Sequence, residues 1–125
     1  MMKTITFNPN GSPLLVKAIF LGNMNASYSI ELRQKGSNDG TVILKGDNTN
    51  PADDQVTLPV PVADNNGRRL LLDTGFYGLT PDVSKNYEIR MEVYQDNKLL
   101  GFENETGTFT GNGQYSLLFI QLISA

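Results

Sequence analysis

Apolar residues in this chain recur at every second position far more often than at helical spacing, and clusters of Gly, Asn, Asp and Pro interrupt them at short intervals. Tyr28, Ile30 and Leu32 alternate with Ser29, Glu31 and Arg33. Tyr87, Ile89, Met91 and Val93 alternate with Glu88, Arg90 and Glu92. Each pattern predicts an antiparallel strand with one dry face and one wet face. Val56, Leu58, Val60 and Val62 also alternate, but Pro59 and Pro61 cannot donate to a ladder, so this stretch is predicted at a sheet edge. Asp96-Asn97 between Tyr87–Gln95 and Lys98-Leu99-Leu100 has the spacing of a two-residue hairpin. Further turns are marked at 37–40, 46–54, 64–67 and 111–113, which brings the total to about eight or nine strands. No stretch carries a convincing amphipathic helix, and no repeat or linker divides the chain. The expectation is one all-β domain over residues 1–125, a two-sheet antiparallel β-sandwich, with a closed barrel as the alternative. Residues 46–55 form the longest polar interruption and are expected to be a mobile surface loop.

Two segments depart from simple alternation. In 114–124, Tyr115, Leu117, Phe119 and Ile123 fall on one face and Leu118, Ile120 and Leu122 on the other. In 14–21, Leu14, Val16, Ala18 and Phe20 oppose Leu15, Ile19 and Leu21. A two-layer sandwich leaves each sheet one solvated face, so a second apolar row must be covered by a loop, a terminus or another molecule. Leu118, Ile120, Leu122, Leu15 and Ile19 are the interface residues this reading nominates.

Gly78-Leu79-Thr80-Pro81 followed by Tyr87-Glu88-Ile89-Arg90-Met91-Glu92-Val93 resembles the E–F corner and F strand of fibronectin type III domains. The resemblance covers about residues 70–95 and implies an immunoglobulin-like sandwich. It also implies that Leu79 plugs the core and that Tyr87 packs there with its hydroxyl bonded to nearby backbone. The chain departs from that family in the longer spacing from Pro81 to Tyr87 and in lacking the core tryptophan, so the broader immunoglobulin-like name is the one it supports.

Composition then narrows the chemistry. The 125 residues include no histidine, cysteine or tryptophan. Ser-His-Asp and Cys-His triads, imidazole proton transfer and nitrogen or sulfur zinc shells are therefore unavailable, and no cofactor is expected. A pair of carboxylates such as Glu103 and Glu105 leaves glycoside hydrolysis as the one convenient enzymatic mechanism, but nothing in the sequence builds a cleft around them. Asp47, Asp53 and Asp54 share one loop and Asp64 opens an Asp-Asn-Asn-Gly run. These are oxygen ligands suited to calcium, yet Gly67 and Arg68 break the register of a calcium loop and Asn66-Gly67 fits a hairpin turn, so no metal site is assigned.

A net charge of −3 without a basic stripe argues against nucleic acid, and no segment approaches the length of a membrane span. No secretory signal is present at Met1–Pro9, a soluble protein is expected, and the compartment is left open. Sequons at Asn10, Asn25 and Asn104 are read as turn chemistry. The leading expectation is a non-catalytic module acting through protein contacts, as a self-associating structural unit or an accessory subunit. The alternative is a carbohydrate- or peptide-binding module using Phe76 and Tyr77, flanked by glycines, together with Asp53 and Asp54 of the polar loop.

Overall fold

The computed structural model describes residues 2–79 and 85–125. Nine strands form among them: β1 (Lys3–Phe7), β2 (Leu15–Leu21), β3 (Met24–Arg33), β4 (Gly40–Asp47), β5 (Gln55–Thr57), β6 (Arg69–Gly78), β7 (Asn86–Gln95), β8 (Lys98–Thr108) and β9 (Gln114–Ser124). They pair as a five-stranded sheet in the order β1-β9-β6-β3-β4 and a four-stranded sheet in the order β5-β2-β7-β8. All pairs are antiparallel except β1 with β9. The two-sheet antiparallel β-sandwich expected from the alternation is the architecture observed.

The inner rows are the ones periodicity marks. Ala26, Tyr28, Ile30 and Leu32 of β3, Leu70, Leu72 and Phe76 of β6, and Tyr87, Ile89, Met91 and Val93 of β7 meet in one core with Val16 and Ala18 of β2. Asp96 and Asn97 adopt φ of 53° and 62°, the left-handed pair that a two-residue hairpin turn with native twist requires. The proline-rich stretch contributes only the three-residue β5, which lies at a sheet edge as predicted.

Four expectations are corrected. First, Leu118, Ile120 and Leu122 are not an outer row: all three are buried in the core. The register sets Leu118 beside Leu72 and Ile120 beside Leu70, so the even-numbered residues of β9 share the inner face of β6. A one-residue slip would have turned the other row inward.

Second, Leu79 plugs nothing, being 54% exposed. Tyr87 does pack in the core, but its hydroxyl donates to Glu105 Oε2 at 3.0 Å instead of to nearby backbone. Thr80 and Pro81 of the fibronectin-like corner lie outside the described residues.

Third, Asn66-Gly67 does not close a hairpin, because β5 and β6 belong to different sheets. It ends a connection containing a 3-10 turn at Val62–Asn65. Gly67, at φ 83°, gives its N–H to the Leu122 carbonyl, and Asn66 Oδ1 accepts from Ser124 N–H. Beneath it the fully buried Asn65 donates to the Pro59 and Val62 carbonyls and accepts from Arg68 Nη1.

Fourth, the polar loop after β4 is pinned. Asn48 donates through its backbone N–H to the Ala26 carbonyl, accepts from Ala26 N–H at Oδ1 and donates from Nδ2 to the Met24 carbonyl. A single-turn 3-10 segment at Pro51–Asp53 follows, and the Asp54 carbonyl accepts from Ala18 N–H.

Candidate interaction surface

The outer faces of the two sheets differ in chemistry. On the four-stranded sheet, β7 turns Glu88, Arg90, Glu92 and Tyr94 outward. Arg90 lies 2.7 Å from Glu92 and 3.6 Å from Glu88, and its guanidinium stacks 3.9 Å above the Phe102 ring. Lys17 sits 4.6 Å over the Tyr94 ring, whose hydroxyl donates to Glu92 at 2.7 Å. That bond to Glu92 is the main reason the Tyr94 hydroxyl holds its proton above the usual tyrosine range. Leu15 and Ile19 do face outward here, opposite Tyr94 and Arg90, and are half-buried between these side chains. The apolar row of β2 is thus flanked by a charged and aromatic network supplied by its own sheet.

The five-stranded sheet lacks such a network over β9. Tyr115 is 82% exposed and Leu117 is 56% exposed, two positions apart on the same face. Phe119 and Leu71, paired across β9 and β6, continue the row; Arg33 stacks 5.7 Å from the Phe119 ring and is itself tied to Glu31 at 3.0 Å. The Tyr115 ring lies over Gly75, where a Cβ would stand 3.5 Å from ring Cε1. Tyr77, 48% exposed, adds a second ring on this face and accepts a bond from Asn25 Nδ2. The result is an apolar row along β9, bordered on β6 by the exposed Asp73 opposite Leu117.

The remaining nominated residues separate from one another. Phe76 is a core side chain, 4.7 Å from Tyr87 and 6.4 Å from Phe109 between ring centroids, so it cannot share a surface site with outward-facing Tyr77. Adjacent residues of a strand point to opposite faces, and Phe76-Tyr77 is within β6, not in a loop. Asp53 is exposed, whereas Asp54 is only 4% exposed and accepts the Tyr28 hydroxyl at 2.6 Å. Burial raises the Asp54 carboxyl above the usual range, and burial together with Asp54 raises the Tyr28 hydroxyl. Asp54 is therefore an anchor of the loop to β3. Among the described residues no three carboxylates gather as metal ligands would. Glu103 and Glu105 do share one side of β8, where they line a gap between β8 and β9.

Sequence alone does not mark the exposed strip, because both rows of β9 are apolar and alternation does not tell which of them faces water. The charged network on β7 was hidden for a different reason, since alternate Glu and Arg on a strand read as ordinary solvated residues. Among the described residues, no helix is long and apolar enough to cross a membrane. Comparison of the chain with protein-family models, with curated proteins and with solved structures gave no match.

Proposed function

We propose that this chain is a non-catalytic β-sandwich module that works through protein contacts and self-associates by the outer face of its five-stranded sheet. The observation that carries the reading is the exposure of Tyr115 and Leu117 side by side on a regular strand. Taking a large apolar side chain fully out of water contributes roughly 1.5–3 kcal/mol. A two-fold contact uses the same patch on both copies. The gross gain from Tyr115 and Leu117 of two copies is then of the same order as the roughly 4–15 kcal/mol that association costs, so little net free energy remains and the expected contact is weak, populated only at high protein concentration.

Light scattering after size exclusion, across concentration, tests this. The native chain is expected to gain mass with concentration, and the Tyr115→Ser, Leu117→Ser double variant to remain monomeric, with a melting temperature unchanged in dilute solution. A native chain that stays monomeric throughout would overturn the proposal.

An immunoglobulin-like frame is part of this reading. Its support is the pairing of β2 with β5 in one sheet, of β3 with β6 and β6 with β9 in the other, and of β1 parallel to β9. These are the relations of strands B and E, of C, F and G, and of a leading strand along G. In that frame β6 takes the F position, and the β7–β8 hairpin is inserted between F and G, beside B. The strand with Tyr87, which resembles an F strand in sequence, thus belongs to the insertion.

A second reading, a carbohydrate stacked on the same face, is favoured by the Tyr115 ring lying over Gly75 with Tyr77 on the same side. Tyrosine fluorescence titrated with oligosaccharides separates the two, since a sugar site responds saturably and loses the response in Tyr115→Ala.

A further inference from the structure

On the side away from β6, strand β9 is covered along only part of its length. Ile120–Ser124 pair with β1, but no strand lies beside Gln114–Phe119 among the described residues. Bonds at the far end fix which backbone groups point there. Leu122 donates its N–H to the Arg68 carbonyl at 2.9 Å and accepts the Gly67 N–H at 2.7 Å, so it turns both groups toward the β6 side. Ala125 N–H, three residues on, donates to Phe7 of the β1 side. Successive residues of a strand alternate in this respect. Even-numbered residues of β9 therefore bond β6, and Tyr115 and Leu117 present N–H and C=O at the uncovered edge.

Each remaining edge of the two sheets carries a feature that discourages strand addition. β8 turns Glu103 and Glu105 inward, and β4 is offset by a bulge at Ile30/Glu31 and carries Lys45 and Asp47. β5 has three residues and runs into Pro59 and Pro61, and β1 has five residues and begins with Lys3. The uncovered part of β9 has none of these: Gln114–Ser124 contains no charge, proline or glycine. Beside it lies a cavity of about 400 Å³ between β8 and β9, with Glu103, Asn104 and Glu105 on one wall, Leu117, Leu118 and Phe119 on the other, and Met2 at the end where β1 begins. One oxygen of Glu105 is engaged by Tyr87 and one of Glu103 by Asn104 N–H. Ser116, facing inward between Tyr115 and Leu117, has a buried hydroxyl with no hydrogen-bond partner.

We infer that the Gln114–Phe119 half of β9 is an acceptor edge for an extended, lysine- or arginine-bearing segment of a partner protein, which adds a strand to the five-stranded sheet. In strand addition the backbone bonds supply affinity and alternate side chains supply selectivity. Inward side chains of the guest meet the two carboxylates, and outward ones extend the row of Tyr115, Leu117 and Phe119. The expected guest alternates basic and apolar residues. This inference stands on the edge of β9 and not on its face, so it does not rest on self-association.

The test uses a six-residue peptide of alternating lysine and valine, the same peptide with glutamate for lysine, and amide hydrogen exchange on the full chain. The lysine peptide is expected to bind saturably, at least tenfold more tightly than the glutamate peptide, and to protect the Tyr115 and Leu117 amides. Ser116 and Leu118 should be protected with or without it. Leu117→Pro removes one edge donor without touching the ladder to β6 and should abolish binding. If that variant fails to fold, Glu103→Gln with Glu105→Gln should weaken binding by a similar factor while leaving the melt unchanged. No saturable binding, or binding that leaves both amides unprotected, would overturn the inference. Equal binding of the two peptides would overturn the role of the carboxylates. Protection that grows with protein concentration in the absence of peptide would make a second copy the occupant and would equally overturn it.

Discussion

Replacing Leu118 by alanine and, separately, Leu117 by alanine probes the facing of β9 with two chemically identical changes one residue apart. Leu118 is 5% exposed and packs beside Leu72 in the core. Truncating a buried leucine removes its transfer free energy and leaves a cavity, together about 2–5 kcal/mol. Leu117 is already more than half in water, and its removal falls within the roughly 0.5 kcal/mol typical of surface changes. For a chain of this size each kcal/mol moves the melting temperature by about 3–5 °C. Leu118→Ala should therefore melt about 6–25 °C below the native chain, and Leu117→Ala within about 2 °C of it. Urea denaturation at low micromolar protein, followed by circular dichroism, gives the same comparison in free energy. Repeating it at tenfold higher concentration exposes any added loss for Leu117→Ala from a broken intermolecular contact. If Leu117→Ala is the more destabilising change in dilute solution, the facing of β9 described above is wrong, and the surface built on it falls too.

Three further outcomes are expected. Phe76→Ala should lose about 3–5 kcal/mol, while Tyr77→Ala changes stability little; equal effects in a thermal melt would contradict the opposite facing of these two residues. In alkali, Tyr28 and Tyr87 (through burial) and Tyr94 (through its bond to Glu92) hold their protons above the usual tyrosine range. The folded chain then binds more protons than the unfolded one once the pH exceeds about 10. Stability should be complete below that pH and fall above it; urea midpoints that stay flat from about pH 8 to about pH 11 would refute this. Tyr28→Phe should reduce the alkaline slope, and at neutral pH should cost about 1–3 kcal/mol by leaving the Asp54 carboxylate buried without its donor.

What the sequence reveals and conceals follows from how the information is encoded. In β3 and β7 one face is polar, so period two alone identifies strand and side. In β9 each row has a single interruption between its ends, Ser116 inside and Gln121 outside, and alternation cannot choose between them. The choice comes from register against β6, a contact distant in sequence. The same limit governs Asn66-Gly67, whose turn chemistry is that of a hairpin although the strands it joins belong to different sheets. Asp54 reads as one more loop carboxylate; its burial depends on Tyr28 of another strand reaching it. Local pattern sets the elements here, and long-range pairing decides which side of each element meets water.

The central placement of β9 also has a consequence in time. Among the described strands it comes last along the chain, yet it stands between β1, which comes first, and β6. A nascent chain lacking residues 114–124 can already pair β2 with β7 and β7 with β8, but β1 has no neighbour in its sheet, and the flank of β6 stays open. Contacts that must wait for distant parts of the chain are slow to form, and unpaired strand edges are sites of misassembly in the interval. The five-stranded sheet is thus completed only when residues 114–124 join it, and the vulnerable species is the one in which β9 has not yet docked between β1 and β6.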